Sequence, residues 1–182
     1  MRCGRRSPPL LQALAIGIGL AVAGLGGAAG RAAAGEPPSS PAPLTRSSAT
    51  RSVVLDLRGR TISLLDAGAV LGRWPVAIGA GATPTPVGRF AVINKVVNPR
   101  YQSTKSGRIH PTIGANGPLG DRWLGFLQSG PNQFGIHGTP AAWSWTVTSR
   151  AAVTNGCVRM LRAHVHQLFD QVEVGTPVIV TR

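Results

Sequence analysis

From residue 52 onward the chain is cut into short β-type runs by turn residues, and a helical period is reached only after Cys157. Residues 52–57 (SVVLDL), 61–65 (TISLL) and 70–78 (VLGRWPVAI) are separated by Arg58-Gly59-Arg60 and Asp66-Ala67-Gly68, which are hairpin signals. Residues 79–88 (GAGATPTPVG) read as a loop. Two prolines cannot sit in a central strand, and the glycines permit unusual backbone angles. Residues 89–97 (RFAVINKVV) form the next strand, 98–122 are irregular, and short strands at 123–127 (WLGFL) and 134–136 lead into His137. Beyond Cys157, the residues Leu161, Val165, Leu168, Phe169 and Val172 recur at helix spacing, with Gly175 placed to end the helix. Residues 177–181 (PVIVT) close the chain as a strand. The expectation is a mainly β domain over residues 52–182, a sandwich or incomplete barrel with one or two short helices.

Residues 1–51 carry no such pattern. Arg2, Arg5 and Arg6 precede an uncharged apolar run over 10–23 that fades through glycines into Ala32-Ala33-Ala34. A basic start, an apolar middle and a small-x-small end make a secretory signal over 1–34. An uncleaved anchor is the alternative, since residues 10–30 carry no charge and could just span a bilayer; their many glycines argue against a stable spanning helix. Cys3 precedes the run, the wrong place for lipid attachment after cleavage. Residues 35–51 (GEPPSSPAPLTRSSATR) read as a Pro/Ser-rich linker. The domain is therefore expected outside the cytoplasm, in the periplasm or cell wall, as a monomer whose signal segment alone contacts the membrane.

Charge narrows the partners. The chain has 19 Lys/Arg against 6 Asp/Glu, and from Gly35 onward the balance is +9. That suits nucleic acid, anionic lipid or an anionic wall polymer. The basic residues are scattered, with no run or aromatic interleaving, so no nucleic-acid partner is expected.

The chemistry gathers in residues 135–160, GIHGTPAAWSWTVTSRAAVTNGCVRM. If the leader is removed, Cys157 has no second cysteine in the chain, and an odd exported cysteine is either reactive or an intermolecular link. It follows Asn155-Gly156 and precedes the helical stretch, so a helix N-terminus is expected to lower its pKa. The amides of Gly156 and Cys157 could face a developing oxyanion. A thiol of pKa about 8.5 is only a few per cent ionised at neutral pH, so a base matters. His137, between Ile136 and Gly138, would supply it. No Asp or Glu lies between 122 and 169, which leaves a backbone carbonyl near Gly138 to orient the imidazole. From these residues alone, a Cys–His dyad and a buried cysteine packed as a small hydrophobe both stand.

The string GIHGT followed by TNGCVRM resembles the L,D-transpeptidase catalytic domain, also called the YkuD domain. That family's signature is a histidine, fourteen to seventeen residues, then Ser/Thr-His-Gly-Cys; here sixteen residues separate His137 from Thr154. The resemblance extends to WPVAIG at 74–79, to TPTPVGRF at 83–90, to NGPLGDRW at 116–123 and to Gly175-Thr176-Pro177-Val178, covering about 51–182. It implies Cys157 as nucleophile, His137 as base and Gly156 with Cys157 as oxyanion donors. Arg159 would steady the turn or meet a substrate carboxylate, and Thr154 belongs to the same motif. The family's second histidine is here Asn155, which can hold the loop but cannot exchange a proton near neutral pH. The implied reaction is attack on the L-centre carbonyl of a peptidoglycan stem peptide. A thioester follows, resolved by an amine to cross-link or by water to trim. No metal or organic cofactor is implied.

Other candidates weigh less. His164 and His166 lie two apart, a spacing that points side chains apart on a helix, so solvent-facing histidines are expected rather than a metal site. His110-Pro111 reads as a turn within an irregular segment that could cover the site. Trp143 and Trp145 have the spacing of alternating strand residues and are expected to line a substrate groove. Residues 79–88 lack the Gly-Lys-Ser/Thr ending of a phosphate loop. The competing reading from another class is a wall-binding or structural domain whose chemistry is impaired by Asn155.

Overall fold

The computed structural model of the chain describes residues 50–104 and 106–182. The signal expected over 1–34 and the linker over 35–51, apart from Thr50 and Arg51, lie outside the described residues.

The first three strands form a meander: β1 (Arg51–Asp56), β2 (Thr61–Asp66) and β3 (Ala69–Pro75). At the β2–β3 turn, Ala67 and Gly68 have φ of 49° and 84°, the left-handed pair that a two-residue hairpin turn needs. At the β1–β2 turn, Asp56 Oδ1 accepts from the amides of Arg58 and Gly59 at 2.9 and 3.0 Å, so a side chain stands in for a backbone turn. There follow β4 (Ile78–Gly79), β5 (Gly88–Ala91), β6 (Asn94–Val97), β7 (Arg122–Ser129) and β8 (Asn132–His137). A 3-10 turn at Ala141–Trp143 runs into α1 (Ser144–Thr148), then come β9 (Ala152–Thr154), β10 (Val158–Arg159), α2 (Arg162–Phe169) and β11 (Pro177–Thr181).

The strands make two main sheets, ordered β3-β2-β1-β11-β5 and β10-β8-β7-β6, with β4 and β9 as a small separate ladder. β1 lies between antiparallel β2 and parallel β11, Val53 opposite Val178 and Leu55 opposite Val180. Strand alternation turns Val53, Leu55, Ile62, Leu64, Val178 and Val180 inward from the first sheet. They share one buried cluster with Leu124, Phe126, Ile136 and Val158 of the second sheet and with Val165 and Leu168 of α2. Each such side chain, fully buried, contributes roughly 1.5–3 kcal/mol. The result is the sandwich that the run pattern implies.

Residues 89–97 are not one strand. β5 pairs with β11 and β6 with β7, and the change of sheet falls on two adjacent residues. The Val92 amide donates to Thr176 in the first sheet's margin, while the Ile93 amide donates to Gly125 in the second sheet. Similarly, β3 stops at Pro75, and Ala77 bridges to Arg159 instead. The helix after Cys157 ends at Phe169, so Gly175 (φ 94°) does not cap it. It makes the turn into β11, its amide bonded to the carbonyl of Val92.

Candidate active site

The site stands on the outer face of the second sheet. Trp123 on β7 is paired with His137 on β8, and His137 with Arg159 on β10. Ile136 and Val158 point into the sandwich core, so alternation turns their neighbours His137, Arg159 and Cys157 to the opposite face. There Cys157 packs in a small cluster with Trp123 and Leu119, and the Trp123 indole stacks on the His137 imidazole at 5.9 Å between centroids. His137 and Cys157 are each only 3% exposed. Both nonetheless line one pocket of about 210 Å³, together with Arg159, Thr154, Asn155 and Trp143.

The imidazole is held by its own chain. Nδ1 of His137 lies 2.5 Å from the carbonyl oxygen of Gly138, which places the proton on Nδ1 and leaves Nε2 to accept. Burial, and next the positive guanidinium of Arg159, lower the His137 pKa to about 3, against the opposing pull of the Gly138 and Leu119 carbonyls. At neutral pH the ring is therefore uncharged, and the same burial and neighbouring charge oppose its protonation. Gly138 is itself fixed, its amide donating to the Arg122 carbonyl at 3.2 Å.

The nucleophile turn is built by side-chain bridges. Thr154 Oγ1 donates to the Cys157 carbonyl at 2.5 Å and accepts from the Gly156 amide at 3.2 Å. Gly156 has φ 102°, and a Cβ there would meet the Phe134 ring at 2.5 Å, so the turn requires glycine on two counts. The Thr154 carbonyl in turn accepts from the Ala80 amide and from Thr83 Oγ1, both at 2.9 Å. The proline-bearing loop at 79–88 is therefore the buttress under this turn.

Several expectations change at this point. Cys157 does not sit at a helix N-terminus: Val158–Arg159 form a strand, and α2 starts only at Arg162. The Gly156 amide, expected to face an oxyanion, is directed at Thr154 Oγ1. Trp143 and Trp145 lie on the 3-10 turn and α1, not on a strand, because Pro140 followed by two alanines starts a helical turn. Trp143 borders the catalytic pocket, while Trp145 borders an adjoining hollow. His164 and His166 are half-buried rather than fully solvent-facing. His166 Nε2 lies 2.9 Å from the buried carboxylate of Asp121, which also accepts from Arg162 Nε at 3.0 Å. His164 is tucked 6.3 Å from the Trp74 ring. Asn155 is exposed at the pocket's edge.

Tyr101, His110 and Leu119 also line the pocket, so the irregular segment that could cover the site does border it, although none of the three stood out individually as a site residue. His110 makes the expected local turn, its Nδ1 accepting from the Thr112 amide at 3.2 Å. The signal that pointed to this wall was the NGPLGDRW block, which brings Pro118 and Leu119 there.

The model of the L,D-transpeptidase catalytic domain family matches residues 50–180. The chain belongs to the L,D-transpeptidase family. YqjB of Bacillus subtilis (strain 168), an L,D-transpeptidase by assignment, is 34% identical over 131 residues, covering 71% of this chain and 70% of that protein. YkuD of Bacillus licheniformis, named in the same way, is 31% identical over 129 residues, covering 71% of this chain and 64% of the relative. Among solved structures, an L,D-transpeptidase from Mycobacterium smegmatis superposes with a TM-score of 0.58 at 25% identity, over 73% of this chain and 59% of that one. This chain thus spans less than two thirds of the B. licheniformis relative and of the solved structure. Residues 50–180 form an L,D-transpeptidase catalytic domain.

Proposed function

We propose that this domain transfers acyl groups of peptidoglycan stem peptides through Cys157, outside the cytoplasm and as a monomer. What supports the reading is the convergence on one pocket of Cys157, Arg159 and a neutral His137 whose Nδ1 is held by Gly138. The reactive form carries the Cys157 sulfur as a thiol. That thiol passes its proton to Nε2 of His137, and the thiolate attacks the L-centre carbonyl of the stem's third residue. The amide of Cys157 donates to the resulting oxyanion. Collapse breaks the amide bond, and the departing amine of the terminal D-amino acid takes the proton back from His137. An amine of a neighbouring stem, or water, then resolves the thioester. Arg159 supplies positive charge for the substrate's carboxylate. Thr154 shapes the turn, and no cofactor enters the steps.

The purified chain, reduced, is incubated with disaccharide-tetrapeptides, and mass spectrometry reads cross-linked dimers and tripeptides against a Cys157→Ala control. Dimers support transpeptidation, and tripeptides alone support trimming. Absence of both, with wild type and control alike, overturns the enzymatic reading. A second reading, a wall-binding domain of low activity, draws on Asn155, whose side chain at the pocket edge exchanges no proton near neutral pH. Carbapenem acylation separates the two quickly, because only an activated Cys157 gains the antibiotic's mass.

A further inference from the structure

We propose that Trp143 and Trp145 form a stacking platform for the amino-sugar strand of the wall polymer, in a hollow continuous with the catalytic pocket. The inference rests on the reading that this pocket takes a stem peptide.

Of the four tryptophans in the chain, Trp74 and Trp123 are buried, whereas Trp143 is 40% and Trp145 60% exposed. Val153 beside them is 50% exposed. These three, with Thr146 and Arg159, line a hollow of about 310 Å³. Trp143, Val153 and Arg159 belong to the catalytic pocket as well, so the two depressions form one surface. Adjacent exposed apolar side chains beside a binding pocket mark a contact surface more often than a packing remainder.

The platform is rigid. Thr146 Oγ1 donates to the Trp143 carbonyl at 2.7 Å, and the Ser149 hydroxyl donates to the Trp145 carbonyl at 2.7 Å. From the catalytic sheet, the Arg159 guanidinium lies over the Trp143 ring at 5.1 Å and donates to Thr146 Oγ1 at 3.2 Å. The Trp143 indole is thus tied to the strand that follows the nucleophile, and the backbone of Trp145 to its own helical turn. Holding them ready avoids an ordering cost on binding.

The chemistry selects the occupant. A pyranose ring has an apolar C–H face that suits an indole and a polar rim that suits hydrogen-bond donors. Arg159 brings such donors, and its buried Nε has no partner among the described residues. Covalent geometry selects the place. If the scissile carbonyl is on the third stem residue, at most about 10 Å of extended chain separates it from the first residue, where the sugar is attached. The sugar must then lie beside the pocket, where this hollow is found.

The test uses the full-length chain and an oligomer of N-acetylglucosamine that carries no peptide, read by intrinsic tryptophan fluorescence. A saturable shift is expected, weakened roughly tenfold in Trp145→Ala and partly retained in Trp145→Phe. No saturable change, or superimposable curves for wild type and Trp145→Ala, overturns the proposal. So does a shift produced by anionic phospholipid vesicles and not by the oligosaccharide, which would make the patch a membrane contact. Carbapenem acylation is scored separately. A chain that acylates but ignores the oligosaccharide loses only this inference, and one that binds the oligosaccharide but never acylates loses only the enzymatic reading.

Discussion

Trp123 and His137 lie as a cross-strand pair with their rings stacked, centroids 5.9 Å apart and planes 18° from parallel. The indole is anchored in turn, its Nε1 donating to Asn94 Oδ1 at 3.0 Å and Gln133 Oε1 at 3.2 Å. The Gln133 carbonyl lies 3.9 Å from the Cys157 sulfur. One buried aromatic therefore touches both halves of the proposed dyad. Trp123→Phe removes the indole's bonds and leaves a cavity, with an expected loss of about 1–3 kcal/mol. Carbapenem acylation should slow in step. Urea denaturation and intact-mass kinetics check the two effects.

Acid should unfold the domain earlier than its few carboxylates suggest. The His137 pKa is about 3 in the folded state against 6.5 for the free side chain. Between those values the unfolded chain binds the proton and the folded chain does not. This contribution to stability is complete above pH 6.5 and is lost as pH falls toward 3. It costs up to about 1.4 kcal/mol per unit, or roughly 3 kcal/mol by pH 4.5. His164, also lowered by burial, acts in the same sense. The His137 share is therefore the difference in slope between wild type and His137→Gln, measured by urea denaturation from pH 7 to 4.5. Equal slopes would refute it.

Asp121 secures α2 to the start of β7. Burial alone would raise its pKa, but the hydrogen bonds and charges of His166 and Arg162 together lower it below 3.8. Its contribution is present above that value and disappears only at more acid pH, outside the range in which His137 acts. Asp121→Asn leaves the Arg162 guanidinium and the His166 imidazole facing an amide, and a loss of about 1–2 kcal/mol is expected. Thermal melts at pH 7 check it.

Two glycines with similar backbone angles should respond differently to alanine. Gly156 (φ 102°) has the Phe134 ring 2.5 Å from its virtual Cβ, whereas Gly175 (φ 94°) has nothing within 4 Å. Gly175→Ala pays only for the left-handed backbone, about 1–2 kcal/mol. Gly156→Ala adds a clash within the nucleophile turn and should abolish acylation as well. Comparing the two variants separates strain from sterics.

Asn155→His tests what the missing imidazole would do. The position is exposed, so stability should stay within about 0.5 kcal/mol. If a second titrating group assists Cys157, acylation rises several-fold and its pH profile gains an inflection near the histidine range. A profile identical to wild type would assign the position to loop shape alone.

Much of the sandwich could be read from the chain because period-2 runs and turn residues report directly on local backbone. Residues 177–181 became β11 with those same limits. What failed was information held by distant partners. The 89–97 run looked continuous because each half alternates properly, although Val92 and Ile93 bond to opposite sheets. His166 meets Asp121 across 45 residues, a contact no periodicity reveals. The helical period after Cys157 was real, yet two residues of strand intervene, and the dipole argument went with them. The pairing of Trp123 with His137 depended on the register of β7 against β8, which a β-bulge between Gly125 and Leu127 shifts.

The parallel pairing of β1 with β11 has a bearing on when the molecule can form. β2 follows β1 directly, but the other neighbour of β1, β11, lies more than a hundred residues further along, with Val53 opposite Val178. Contacts of such long sequence separation close late and slowly. The first sheet is thereby a clasp whose central strand closes only on a partner from the far end of the domain.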